Sequence, residues 1–292
     1  MENENFEKNI REYLYFAEFG ENKSQNTILS LKKDLFQFSK YLLEIEKTES
    51  AKEVSSVMIR GFILFLQENG NSKRTINRKL SSLRSFFKYL VRNNIVYQNP
   101  AEIVASPSFS VEKPDVLTIE EINSLREVIS LKTANGIRDR LMLELLYSSG
   151  ITTVELLSVG EGVFDLDKRE LYVTNGKNNR IVFFSERVRK YFKDYVEAKK
   201  KKYKEKYNPD ILFVNGSGNR LSDRSLRRII DRYAKKAGIE REISPYSFRH
   251  TFAVHMLSHG MDVLYVKELM GHVNIESTKL YEQMISGVTL NL

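Results

Sequence analysis

The chain has 292 residues, 41% of them hydrophobic, with 46 Lys and Arg against 38 Asp and Glu and a formal net charge of +8. This length accommodates two domains of ordinary size, and the hydrophobic share excludes wholesale disorder. The absence of cysteine excludes disulfides, thiolate nucleophiles and zinc fingers, and makes a reducing cytoplasm the expected home. No apolar run is long enough to span a bilayer, and the acidic opening Met-Glu-Asn-Glu has no signal-peptide core. A pI near 9.3 favours an anionic partner, nucleic acid first and an anionic membrane surface second.

Residues 6 to about 100 read as all-helical. Phe6, Ile10, Tyr13, Leu14 and Ala17 repeat at helical spacing, and Ile28, Leu31, Leu35, Phe38, Leu42 and Ile45 do so across 27–46. A third helix is expected over 57–67, with Gly70 at its stop, and a fourth over 73–92. Asn99-Pro100 closes the block, because proline disfavours helix in the residue before it. Residues 106–115, with two prolines and several serines, read as an extended linker between a first domain, 1–105, and a second, 116–292. Thr118 and Glu121 have the spacing of a capping box. The second block is mixed. Helices are expected at 119–131, 136–148, 152–158, 187–206 and 222–237, and two strands at 170–174 and 180–184 joined by a turn at 175–178. The fold class is therefore mainly α with a small antiparallel β-sheet. Gly238 and Gly260 sit where helix C-caps belong.

Two helices carry surface charge suited to DNA. Between Asn71 and Arg92 there are seven basic residues and no acidic one. Ile76, Leu80, Leu83, Phe87 and Leu90 mark a core face. Arg74, Arg78, Lys79, Arg84 and Lys88 are the candidate phosphate contacts, helped by Ser81 and Ser85. A merely solvated face without compensating glutamates would repel itself, which favours contact with DNA. The 222–237 helix offers Arg224, Arg227 and Arg228 outside Leu226, Ile229, Ile230 and Tyr233. The lysine-rich run at 199–206 reads either as a solvated helix end or as a further DNA contact.

The chemistry-bearing residues cluster late. Arg249 and His250 lie in Ser-Pro-Tyr-Ser-Phe-Arg-His-Thr-Phe-Ala-Val-His (244–255). His272 ends Leu-Met-Gly-His, and Tyr281 ends Ser-Thr-Lys-Leu-Tyr. A guanidinium forks onto two phosphate oxygens, and a phenol is a nucleophile. Taken singly, Tyr281 is an ordinary core or surface tyrosine and His250 a satisfied core histidine. His255 and His259 are spaced i, i+4 like metal ligands, but no glutamate lies between them and no third ligand is evident, so no metal is expected.

These segments in this order resemble the tyrosine recombinases, the phage integrase family, in its short Xer-type form. Residues 246–255 are similar to the family box His-x-Leu-Arg-His-Thr-Phe-Ala-x-His. Residues 269–272 are similar to Leu-Leu-Gly-His, and 277–281 to Thr-Thr-x-x-Tyr. Residues 138–150 resemble the stretch leading to the family's first arginine, and 77–89 its N-terminal DNA-clamping helix. The resemblance implies a SAM-like core-binding domain followed by a catalytic domain, together a two-domain, C-shaped clamp on double-stranded DNA, acting as a homo- or hetero-tetramer on two sites. It also implies a mechanism without metal, ATP or any other cofactor, in which Tyr281 attacks phosphorus to form a 3′-phosphotyrosyl link. Arg249 would neutralise the phosphorane, His272 would donate to a non-bridging oxygen, and Lys177 in the hairpin turn would protonate the leaving 5′-oxygen. His250 would support packing and Glu155 would orient its neighbours. The segment after Tyr281 either docks on a neighbouring protomer or frays.

Two positions depart from the family pattern. Tyr246 stands where the first histidine is usual. Thr152 stands at the first catalytic arginine, in Gly150-Ile-Thr-Thr-Val-Glu-Leu, where the pattern is Gly-Leu-Arg-x-x-Glu-Leu. A threonine supplies neither fixed charge nor a bidentate fork. Three readings stand: a working site-specific recombinase, a DNA-binding protein on a recombinase scaffold that cuts poorly or not at all, or an active parent in which Thr152 is an engineered or chance change.

Overall fold

The computed structural model describes residues 6–108, 114–175 and 178–285. The chain divides into two compact units, Met1–Val111 and Glu112–Leu292.

The first unit is helical: α1 Phe6–Tyr15, α2 Gln25–Tyr41, α3 Ser56–Glu68 and α4 Lys73–Arg92. Serine caps start three of them: Ser24, Ser55 and Ser72 each accept the backbone N–H of the third helical residue. The helix expected over 27–46 ends earlier as an α-helix and closes through a π-turn, Leu42–Glu46. Aromatic rings fill the centre. Phe6 packs edge-on against Phe38 at 5.9 Å and Phe86 at 5.3 Å, and Phe38 meets Phe62 at 5.0 Å. Beside this core the Asp34 carboxylate is buried and ringed by donors: Arg78, Lys79 Nζ at 3.0 Å and Ser82 Oγ at 2.9 Å. A buried charge needs this kind of partnering.

The second unit wraps one long helix. Here α5 is Ile119–Glu127, shorter than the expected 119–131, and opens with the Thr118–Glu121 capping box. Helix α6, Ala134–Ser149, is buried along most of its length, even at Arg138, Asp139 and Glu144. Those charges are paired: Arg138 with Asp139, and Arg126 and Arg140 with Glu144. After α7, Thr153–Ser158, a three-stranded antiparallel sheet follows in the order β1 Phe164–Asp165, β2 Glu170–Asn175, β3 Asn178–Phe183. Val173 faces Arg180 across the β2–β3 ladder. Strand β1 was not expected, since two residues carry no period-2 signal.

Helices α8 Glu186–Tyr203 and α9 Asp223–Lys236 cover the core of Leu141, Leu145, Leu156, Phe213, Leu226 and Phe248. The lysine run at the end of α8 is not uniformly solvated. Lys199 is buried, its Nζ donating to Glu161 and to the carbonyls of Asn208 and Ile211. Helices α10 Pro245–Ser258, α11 Val263–Met270 and α12 Glu276–Ile285 complete the unit. Among the described residues, no helix is long and apolar enough to cross a membrane.

Candidate active site and nucleic-acid faces

Helix α10 is the platform. Pro245 stands in its first turn, where a missing N–H is harmless, and Ser244 N–H donates to Ser247 Oγ at 3.0 Å. The segment before α5 ties it down: Leu117 N–H donates to Thr251 Oγ1 at 2.8 Å, and Ser247 Oγ donates to Asp115 at 3.0 Å. Asp115 in turn takes Arg241. Arg249 thus starts from a fixed backbone.

The Arg249 side chain is 6% exposed. Its guanidinium donates to the carbonyls of Gly150 and Met270. Both carbonyls belong to helix ends. Gly150 caps α6 with φ +61°, and a Cβ there would run into the Phe252 ring. Met270 is the last residue of α11, capped by Gly271 at φ +66°. Three of the five guanidinium N–H groups remain for another acceptor. Burial first, then Arg180, lower the Arg249 pKa, with Glu155 opposing. A guanidinium stays charged regardless.

The glycine turn after α11 delivers His272, whose Nδ1 lies 2.8 Å from the hydroxyl of Thr278, a fully buried residue of α12. Burial, then Arg249, Arg180 and His250, push the His272 pKa down to about 4. His272 is therefore neutral at pH 7. In the tautomer where Nδ1 accepts the Thr278 hydroxyl, Nε2 carries a proton to donate.

One turn beyond Thr278, Tyr281 points back at α10. Its hydroxyl is 2.7 Å from His250 Nδ1, and its ring stacks on His272 with centroids 6.4 Å apart. Tyr281 is 4% exposed. Burial raises its pKa and the Arg249 charge opposes the rise. Burial and Arg249 lower the His250 pKa, with Asp115 opposing. Tyr246, about half exposed, lies beside His250 with ring centroids 6.4 Å apart.

Thr152 is the N-cap of α7. Its hydroxyl accepts from Glu155 N–H at 3.2 Å, and Glu155 Oε2 accepts from Thr152 N–H at 2.7 Å. The buried Glu155 carboxylate is also gripped by Arg180 of β3 through both terminal nitrogens, and Arg180 Nε donates to Leu269 O at 2.7 Å. Burial alone would raise the Glu155 pKa; the Arg180 hydrogen bonds and charge hold it below the usual carboxylate range. Arg138 and Arg140, upstream on α6, are committed elsewhere: Arg138 to Asp139 and Val214 O, Arg140 to Glu144 and Arg126 O.

The structure thus brings together Arg249, His250, His272 and Tyr281, with Thr152 and Glu155 at the adjoining helix start. Lys177 lies outside the described residues, as does most of the segment after Tyr281. Sequence reasoning missed Arg180, Thr278 and Asp115. Arg180 had one available signal, as the only arginine of the hairpin. Among the described residues, no three His, Asp or Glu side chains gather as a metal would require. His255 and His259 face other partners, His255 toward Tyr147 and His259 toward the His255 carbonyl.

The basic faces need two corrections. Lys79 is buried, with Nζ on Asp34 and Gln37, so it is a core cation and does not face solvent. Arg84 folds back onto the carbonyls of Ala101 and Val104 and the hydroxyl of Ser106, clamping the end of the first unit. Arg74 and Lys88 remain exposed, and Arg78 is half exposed although it pairs with Asp34. Beside them an open groove of about 530 Å³ is lined by Lys23, Asn26, Thr27, Ser30, Ser81 and Ser85. Its α2 side was not anticipated. On α9, Arg224, Arg227 and Arg228 are exposed, with Arg227 paired to Asp223 at 2.9 Å.

Residues 115–285 match the phage integrase family, and residues 10–94 match the phage integrase N-terminal SAM-like domain. Tyrosine recombinase XerD of Oceanobacillus iheyensis is 34% identical over 276 residues, covering 93% of this chain and 92% of that protein. Tyrosine recombinase XerC of Thermodesulfovibrio yellowstonii is 37% identical over 278 residues, covering 93% and 90%. Among solved structures, the XerH site-specific recombinase bound to palindromic difH substrate has a similar fold, with TM-score 0.76 at 20% identity, covering 94% of this chain and 80% of that one. With both units matched in order and nearly the whole chain aligned at about a third identity, the chain belongs to the phage integrase family, among its Xer-type tyrosine recombinases.

Proposed function

We propose that this protein recombines DNA at specific sites by breaking and rejoining strands through Tyr281. The observation that carries the reading is the convergence of Tyr281, His250, His272 and Arg249 in one corner of the second unit. The phenol oxygen attacks a DNA phosphorus, the bond to the 5′-oxygen breaks, and a 3′-phosphotyrosyl ester stores the bond energy until another 5′-hydroxyl reverses the step. Arg249, held by two carbonyls, presents its remaining N–H groups to the phosphorane. His272, neutral and anchored on Thr278, donates from Nε2 to a non-bridging oxygen. Lys177 protonates the leaving 5′-oxygen. Glu155 and Arg180 lock the start of α7 to the hairpin and to the end of α11. Arg74, Arg78 and Lys88 of α4, the neighbouring hydroxyl-lined groove, and Arg224, Arg227 and Arg228 of α9 hold the duplex backbone. Protomers act as a tetramer on two sites.

A second reading is favoured by Thr152. Its hydroxyl is committed to capping α7 and it brings no charge to the phosphate. Loss of one preorganised donor costs on the order of a hundred- to a thousandfold in rate, so the chain could serve chiefly as a DNA-binding partner of a more active protomer. The test is a nicked suicide duplex carrying a site selected from bound genomic fragments, with covalent protein–DNA adduct read on a denaturing gel and Tyr281→Phe as the blank. Slow adduct from the natural chain and faster adduct from Thr152→Arg is the expected result. Adduct from Thr152→Arg alone supports the silenced scaffold. Tight binding with no adduct from either overturns the enzyme reading.

A further inference from the structure

We propose that His250 is the general base of the cleavage step, taking the Tyr281 phenol proton onto Nδ1 as the phenol oxygen bonds to phosphorus. The proposal rests on the recombinase reading above and goes beyond it, since that reading leaves the phenol proton without an acceptor.

The geometry carries it. His250 Nδ1 and the Tyr281 hydroxyl are 2.7 Å apart, a proton-transfer distance, and they come from different helices, α10 and α12. The other groups near the phenol are unsuited to the task. Arg249 has no lone pair to offer. His272 meets Tyr281 ring on ring, with planes 17° apart, and its Nδ1 is engaged by Thr278. Glu155, which neighbours Arg249, is engaged by Arg180 and the Thr152 amide. Tyr246, standing where the family pattern has a histidine, offers a phenol, which is a poor base.

The groups facing His250 set its protonation. Arg249 and Tyr246 share its helix, Tyr281 faces it from α12 and His272 from the turn after α11. Asp115 acts on it from the segment before α5. Burial and Arg249 outweigh Asp115 and hold the imidazole in its free-base form at neutral pH. A neutral ring with its proton on Nε2 accepts from the phenol through Nδ1. The buried phenol resists ionising in the resting protein, so no phenolate is stored. Transfer accompanies attack: the O–H bond of Tyr281 breaks, the proton moves to Nδ1, the phenol oxygen–phosphorus bond forms, and the electron pair of the phosphorus–5′-oxygen bond leaves with that oxygen. The 5′-oxygen takes its proton from Lys177. In religation His250 returns its proton to Tyr281.

The test compares the natural chain, Thr152→Arg, and each with His250→Asn, on the suicide duplex. Asparagine places an acceptor oxygen near the position of Nδ1 and preserves the tether to Tyr281, but it cannot take up a proton. Adduct formation is followed against pH, and again on a duplex with a bridging 5′-phosphorothiolate, whose sulfur leaves without protonation. We expect His250→Asn to slow adduct formation about a hundredfold or more at pH 7, to abolish the acid limb of the pH profile, and to stay slow on the phosphorothiolate. Unchanged rates in His250→Asn, or rescue by the sulfur leaving group, overturn the proposal and leave the recombinase reading standing. No adduct from the natural chain or from Thr152→Arg overturns both.

Discussion

Thr152 and Glu155 cap each other at the start of α7, hydroxyl to amide at 3.2 Å and carboxylate to amide at 2.7 Å. The position where the family pattern, as read from the sequence, would place an arginine is thus occupied by a residue suited to starting a helix. Thr152→Ala is expected to cost about 0.5–2 kcal/mol, lowering the melting temperature by a few degrees. Thr152→Arg loses the same cap, so it should melt earlier than the natural chain while cutting faster. A Thr152→Arg protein that is both as stable and as slow as the natural one would show that neither the cap nor the missing charge matters.

Arg180 and Glu155 form a pair with 12% and 0% side-chain exposure. Removing one member leaves a buried charge without its partner, a loss of about 3–5 kcal/mol. Glu155→Ala should therefore unfold at markedly lower denaturant. Replacing both residues by methionine should recover much of that loss, since the pair's desolvation disappears with it. A double variant as unstable as the sum of the single ones would contradict this account.

Lys79 and Lys88 lie nine positions apart on α4 and should behave differently. Lys79→Met leaves Asp34 with one cation fewer in the core and should destabilise the first unit without changing the salt slope of DNA binding. Lys88→Ala and Arg74→Ala should leave stability unchanged and reduce that slope by about one each. Fluorescence anisotropy against salt concentration, beside thermal melts, separates the two classes.

The helices of the first unit were legible because their apolar residues recur every three or four positions. The hairpin was legible from two β-rich runs around Asn-Gly. The catalytic-type cluster was legible as an ordered set of residue types. What escaped depends on partners distant in the chain. Lys79 reads as surface until Asp34, 45 residues earlier, is placed beneath it. Arg180 reads as hairpin decoration until Glu155, 25 residues away, meets it. Lys199 looked like one more lysine of a solvated run, but carbonyls from the following loop bury it. The resemblance gives His250 a packing role, and its neighbouring residues say nothing of the phenol 31 residues on.

His272 should titrate near 4, well below the ordinary histidine range. On acidification the unfolded chain takes up this proton near 6.5, before the folded protein does. Stability is therefore full above about pH 6.5 and falls as pH drops toward 4. Partial exposure of the ring reduces the size of the effect. Nitrogen-15 NMR of the imidazole gives the titration directly. A midpoint above 7 would mean that the ring is charged at neutral pH, contrary to the neutral-donor role proposed for it.

The most direct measurement is mass spectrometry of the trapped complex after nuclease and protease digestion. The account predicts a nucleotide mass on the peptide containing Tyr281, attached through a 3′-phosphate, and absent in Tyr281→Phe. A nucleotide on any other residue, or a 5′-phosphate attachment at Tyr281, would contradict it.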